Sequence, residues 1–111
     1  MQPSMVTSGL EISGCKITKN VGIVRGIVVR SRSIVGSALA GLQTILGGNI
    51  TIYTNMCEKA RLDAYHLICQ HAEKNGANAI IMMRYDAAEI MRGVTEVLCY
   101  GTAVVVENIR S

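Results

Sequence analysis

The residues of this chain best suited to soft-metal binding or nucleophilic chemistry are four cysteines, Cys15, Cys57, Cys69 and Cys99, and two histidines, His66 and His71. A tetrahedral soft-metal site needs three or four thiolate, imidazole or carboxylate groups within bond reach of one ion. The cysteines stand 42, 12 and 30 residues apart, with no CxxC pair among them. That spacing reads as reduced thiols in a cytosol rather than as a disulfide or zinc framework. Cys57 and His71 fall on one helical face but lie roughly 21 Å apart along the axis, too far to share an ion within one subunit. His66 and Cys69, at i and i+3, read as neighbours on an outward helical face and supply half a site; they are the metal candidates of the sequence. Glu73, Asp63 or another subunit would complete the ligand set. The competing reading is structural and is the favoured one: Cys57 in the core, His71 half-buried and hydrogen-bonded, His66 solvated. On the same reading, Cys15 and Cys99 are packed as small hydrophobes.

Catalytic patterns are missing from the sequence. There is no HExxH, no GxSxG and no Walker motif, and Gly36-Ser37-Ala38 lacks the nucleophile-elbow spacing. A Cys–His pair would have to be assembled from Cys57 or Cys99 and a distant histidine. Gly22 and Gly26 lack the third glycine and the helix start of a dinucleotide fingerprint. They read instead as places where a neighbouring backbone or side chain comes close to a strand. The chain therefore reads as non-enzymatic, with no cofactor-binding residues assigned.

Hydrophobic residues make up 50% of the 111-residue chain and charged ones 17%, with mean hydropathy +0.32. About 25% charged is usual for a soluble domain, so part of this surface reads as interface. The net charge of +3 is uneven, because Lys16, Lys19, Arg25, Arg30 and Arg32 face only Glu11 within residues 1–32. Such a segment suits an anionic partner. Phe and Trp are absent and Tyr occurs four times, which disfavours base stacking and hence nucleic acid. Met1–Ser8 has neither the basic start nor the apolar core of a secretory signal. The apolar run Ile34–Leu46 is shorter than the roughly 20 residues needed to span a bilayer. A cytoplasmic protein without a membrane segment is expected.

These residues must be held by a small number of elements. Met1–Gly14 reads as a loose lead-in with a short strand at Met5-Val6-Thr7, and residues 15–111 as a single domain. Lys16–Arg30 reads as a strand with Val21, Ile23, Ile27 and Val29 on one face, and Gly22, Val24 and Gly26 on the other. Ser33 caps an expected helix over Ile34–Leu46. Thr54 or Asn55 caps a second, with Glu58 in its first turn and Lys74-Asn75-Gly76 closing it. Its expected inner stripe is Cys57, Ala60, Arg61, Ala64, Leu67, Ile68, His71 and Ala72.

Ala77–Glu107 reads as a hairpin turning at Arg92-Gly93. Its first strand carries Ala79, Ile81, Met83 and Tyr85 on one face, and Ile80, Met82 and Ile90 on the other. In its second strand Leu98, Tyr100, Val104 and Val106 oppose Val97, Cys99, Ala103 and Val105. A hairpin with one wet face would alternate apolar and polar residues, and this one mostly does not. So short a chain has little of its own to cover a second face, which argues for self-assembly. Arg84, Asp86 and Glu89 then read as an ion-pair network at a subunit contact.

Five fragments in register carry a family resemblance. They are Gly22-Ile23-Val24-Arg25-Gly26; Leu46-Gly47-Gly48; Tyr53 with Ala60-Arg61; Gly76-Ala77-Asn78-Ala79-Ile80; and Tyr100-Gly101-Thr102-Ala103-Val104. Together they resemble the YbjQ-like proteins, an uncharacterised prokaryotic family that also carries a heavy-metal-binding label. The resemblance implies a small α+β subunit, dodecin-like or YbjQ-like, of order strand–helix–helix–strand–strand with an antiparallel hairpin. It further implies assembly into a ring-shaped homopentamer, with extra strands tying neighbours together. A small ligand or a divalent heavy metal at subunit junctions is the expected cargo; the alternative is an interaction protein docking an anionic partner through its basic first third. The chain departs from the family at Thr54, Asn55 and Met56, where acidic residues are usual, and in the uncharged outer side of Ile34–Leu46.

Overall fold

The computed structural model describes residues 1–31 and 50–109; the expected helix over Ile34–Leu46 lies outside them. A single 3₁₀ turn at Pro3–Met5 precedes strand β1 (Cys15–Ser31), helix α1 (Ile50–Lys74) and strands β2 (Ala79–Met91) and β3 (Val94–Asn108). The three strands form an antiparallel sheet in the order β1-β3-β2, with β3 in the centre. Long strands make the molecule elongated, 59 × 25 × 19 Å.

Helix α1 starts no later than Ile50, so Thr54 and Asn55 sit a turn inside it rather than at its end, and Glu58 lies further in still. The β-branched run Ile50-Thr51-Ile52 suggests non-helical backbone, yet each such residue costs only a few tenths of a kcal/mol relative to Ala. A 25-residue helix absorbs that readily. Its C-terminus follows the sequence closely. Gly76 takes φ +87, its amide donates to the Glu73 carbonyl and that of Ala77 to the Ala72 carbonyl, which is a Schellman cap. Asn78 then anchors the crossing to the sheet. Its side chain accepts from the Val106 amide at 2.8 Å and donates to the Val106 carbonyl at 3.0 Å.

The core lies in two parts. Between α1 and the sheet pack Val24, Val28, Ala64, Ile68, Cys69, Ala72, Ile80, Cys99 and Ala103. Helix and sheet meet closely because β1 offers no side chain at Gly26. A Cβ there would stand 2.2 Å from the Ala64 carbonyl oxygen and 2.6 Å from the Ile68 amide nitrogen. The close approach expected of this glycine is thus present. The buried stripe of α1 is Ala60, Ala64, Ile68, Cys69 and Ala72, rotated from the expected one. Cys57, Arg61 and Leu67 face out, because the small residues on the Ala60–Ala72 line let the helix settle there.

On the opposite face, Ile12 covers Ala79, Ile81, Val104 and Val106, with Met5 and Cys15 against them. Residues 1–14, expected as a lead-in, are tied to β2: Val6 bridges Ile80 in parallel, the Thr7 amide donates to the Ile80 carbonyl, and the Met82 and Met83 amides donate to Gly9 and Thr7. The chain therefore covers the inner end of its own second face, contrary to the expectation that it had little to spare. The outer half of that face stays open, with Ile23 at 82%, Val29 at 50% and Met91 at 64% exposure.

The faces of β2 also differ from strict alternation. Met82 and Met83 together oppose Gly101, Met82 at φ +54, so a bulge resets the parity. Tyr85 consequently pairs with Cys99 on the helix side, and Arg84 with Tyr100 on the other. Gly101 makes room for the bulge, since a Cβ there would meet Ile80 Cγ2 at 2.9 Å and the Ile81 carbonyl oxygen at 3.0 Å.

Candidate functional site

An open groove of about 460 Å³ runs between the outer part of β1 and the middle of α1, lined by Ile27, Val28, Val29, Arg30, Asp63, His66 and Leu67. Val28 and Arg30 face the α1 side of β1 and Ile27 and Val29 the far side, so the groove follows the strand edge opposite Asp63, His66 and Leu67, which lie within about one turn of α1. One of the two expected metal candidates, His66, lines the groove with Asp63. The Asp63 carboxylate is engaged there: Arg30 Nη2 approaches Oδ2 at 2.7 Å, and Lys59 Nζ lies 3.5 Å from the same oxygen. A carboxylate held by two cations is a poor metal ligand, since an incoming ion has to displace or be repelled by them. The groove suits a partly apolar molecule with a polar end.

Cys69 is not beside His66 on an outward face, as the spacing had suggested. It is 6% exposed and points into the core, because the edge of the buried stripe falls between the two residues. His66 stacks edge-on against Tyr65 with ring centroids 5.9 Å apart. Cys57 is exposed rather than core. His71 is half-buried as expected: its Nδ1 stands 3.2 Å from the Arg25 amide nitrogen and 3.3 Å from the Arg25 carbonyl oxygen. It blocks that point on the β1 edge. Neither histidine joins a cysteine, and among the described residues no three His, Cys, Asp or Glu side chains gather as ligands.

A second grouping was not legible in the sequence. Cys69 and Cys99 share the core beneath α1, with Tyr65 packed against the same cluster and Tyr85 paired with Cys99 across the strands. Burial pushes the Cys99 thiol up to about 11, and the neighbouring Cys69 adds to this, while Tyr85 opposes it. Burial also raises the Cys69 thiol, while Tyr65 opposes the rise. Both are protonated at neutral pH. The β2 bulge that brings Tyr85 to Cys99 is the feature sequence alternation could not reveal.

The hairpin charges are spent locally. Arg84 Nη1 donates to the Ser8 carbonyl at 2.7 Å, Asp86 accepts from the Ala87 amide at 2.9 Å, and Glu89 accepts from the Gly93 amide at 2.9 Å. Among the described residues they do not form the expected ion-pair network with one another.

A long helix laid on a three-stranded antiparallel sheet, with the N-terminal segment on the far face, defines a small α+β subunit. The fold matches a crystal structure of a protein of unknown function from Pediococcus pentosaceus, of the DUF74 family, with TM-score 0.63 and 19% identity over 96% of this chain and all of that one. The chain belongs to the YbjQ-like family, whose profile, described as "Putative heavy-metal-binding", matches residues 4–107. Among its relatives are UPF0145 proteins of Chromobacterium violaceum, 59% identical over 93% of this chain and 88% of that one, and of Solibacter usitatus, 63% identical over 89% and 88%. A UPF0145 protein of Burkholderia mallei is 57% identical over 92% of both chains.

The family description implies a heavy metal, and the donor set tests it. A tetrahedral site of three or four protein ligands does not fit the described residues. No helix among the described residues is long and apolar enough to cross a membrane.

Proposed function

We propose that this protein is a homo-oligomeric binding module, a pentameric ring whose subunit junctions hold a small ligand or a metal. The observation that supports it is the open outer half of the sheet face away from α1. Ile23, Ile27, Val29, Met91 and Tyr100 present apolar surface there, on neighbouring strands and with exposures of 40–82%. Exposed apolar side chains grouped on one face, with charges among them, mark an interface in a soluble protein. Burying it contributes roughly 25 cal/mol for each Å² of apolar area removed from water. Arg25 stands between Ile23 and Ile27 and, with Arg84, flanks Tyr100 across the strands, and such charges set register and partner choice more than affinity. The groove at Ile27 and Val29 shares its β1 wall with this surface, so a neighbouring copy would close one side of a ligand site.

Native mass spectrometry of the untreated complex tests this reading, reporting subunit number and retained cargo together. A particle of about five 11.9 kDa chains is expected. A monomer at micromolar concentration overturns the reading.

The basic first third supports a second reading, in which Lys16, Lys19 and Arg25 dock an anionic partner, since all three are exposed. Arg30 is lost to that purpose by its pairing with Asp63. Binding to an anionic polymer that weakens steeply with salt would favour this second role.

A further inference from the structure

Strand β1 is an edge of the sheet, and its pairing with β3 runs without a shift from Gly22 to Ser31. The backbone of Arg25 points off that edge, since its amide nitrogen and carbonyl oxygen stand 3.2 and 3.3 Å from His71 Nδ1. Inward and outward backbone groups alternate along an antiparallel strand, so Ile27 and Val29 also turn their N–H and C=O away from β3. Among the described residues no hydrogen bond reaches these outward groups. The open groove follows the same stretch, with Asp63, His66 and Leu67 of α1 as its other wall. On the opposite edge the chain meets the comparable need itself, through the bonds of Thr7 and Gly9 to β2. On β1, His71 stops the free edge at Arg25 and leaves residues 27–31 open, a length of roughly 17 Å.

We propose that residues 27–31 of β1 and the facing turn of α1 bind an extended peptide segment of another protein, which adds to the sheet as a fourth strand. Main-chain hydrogen bonds to Ile27 and Val29 supply the attachment. Successive side chains of the peptide fall on the α1 side, against Leu67, and on the far side, beside Ile27 and Val29. Both positions call for apolar residues. Charge sets the rest. Helix α1 runs antiparallel to β1, with His71 at Arg25 and Asp63 at Arg30, so Lys59 stands toward the Ser31 end of the groove. Arg30 and Lys59 share the single carboxylate of Asp63, which leaves one positive charge over. The segment that fits is therefore apolar with an acidic residue near Lys59. The short free length favours a single strand over the sheet edge of a second copy, because His71 interrupts the edge as natural sheets do to limit edge-to-edge joining. This peptide is the small ligand of the binding module proposed above, on which it rests for the groove and not for the ring.

The test uses the full-length protein and a library of fluorescent heptapeptides in which valine alternates with threonine, with aspartate or lysine placed at each threonine position in turn. Fluorescence anisotropy is expected to show saturable binding, with one aspartate position at least tenfold tighter than its lysine counterpart. N-methylation of every second peptide amide should abolish binding, while methylation of the intervening amides leaves it nearly unchanged, because only one set faces β1. Val29→Pro removes an outward N–H without breaking a bond to β3, and should weaken binding at least tenfold with the circular dichroism retained. Should that substitution unfold the chain, Lys59→Glu on the exposed side of α1 should reverse the preference for aspartate. No saturable binding by any peptide up to millimolar concentration, or binding indifferent to which amides are methylated, would overturn the proposal. Dissociation of the particle on peptide addition would assign the edge to a second copy and overturn it as well. A five-chain particle that binds no peptide overturns this site and leaves the ring, whereas a monomer that binds peptide upholds this site and overturns the ring.

Discussion

At the scale of single residues, the four cysteines separate by environment. Cys57 is exposed, Cys15 half-buried, and Cys69 and Cys99 buried with raised pKa values. Iodoacetamide at neutral pH should modify Cys57 while leaving Cys69 and Cys99 unmodified in the native protein, as peptide mass spectrometry would show. Equal labelling of all four would contradict the core placement. The same burial makes stability fall with alkali. The folded state keeps the Cys99 proton up to about 11, whereas the unfolded thiol releases it near 9.0, so the folded state binds more protons between those values. Unfolding free energy should then decline with rising pH across that window by up to about 1.4 kcal/mol per pH unit for this thiol. Urea titrations at several pH values check it, and Cys99→Ala should flatten the slope. Gly26→Ala would place a methyl 2.2 Å from a helix carbonyl. Its cost should reach about 1–3 kcal/mol or more, read from the urea midpoint.

At the scale of elements, the junction between α1 and β2 was the most legible part of the chain. Gly76 had to end the helix, and Ala77-Asn78-Ala79 had to start the strand. The two hydrogen bonds of Asn78 to Val106 add a reason for the asparagine that spacing could not supply. Asn78→Ala should destabilise the protein by about 1–3 kcal/mol, because it leaves the Val106 amide and carbonyl without those bonds. Asn78→Asp retains an acceptor but no donor, and should fall between wild type and Ala in thermal denaturation. The hairpin turn at Arg92-Gly93 was equally legible, with Gly93 at φ +78. The faces of β2 were not. One extra residue at the Met82–Met83 bulge moves Tyr85 from the Ile81 side to the Cys99 side, and nothing in an apolar run marks where a register shift falls.

At the scale of the whole molecule, the sheet's second face is divided. Its inner end is sealed by Ile12, which is 5% exposed against Ile81 and its neighbours, and its outer end is open. Ile12→Ala should cost about 2–5 kcal/mol by opening a cavity in the smaller core, measurable by chemical denaturation. A cost below about 0.5 kcal/mol would mean that the N-terminal segment does not pack there in solution. The open end is where neighbouring subunits would sit in the proposed ring.

The amino-acid sequence by itself determined the α+β class, the long helix with its glycine cap, the hairpin, the apolar character of both sheet faces and the family. These rest on periodicity, on conformations that few residues adopt, and on short patterns in order, all of which are local. Only the tertiary structure decided that Cys69 turns inward and away from His66, that Tyr85 meets Cys99, and that residues 5–15 cover part of the second face. Each of these depends on helix rotation or strand parity, and both are set by contacts between elements far apart in the chain.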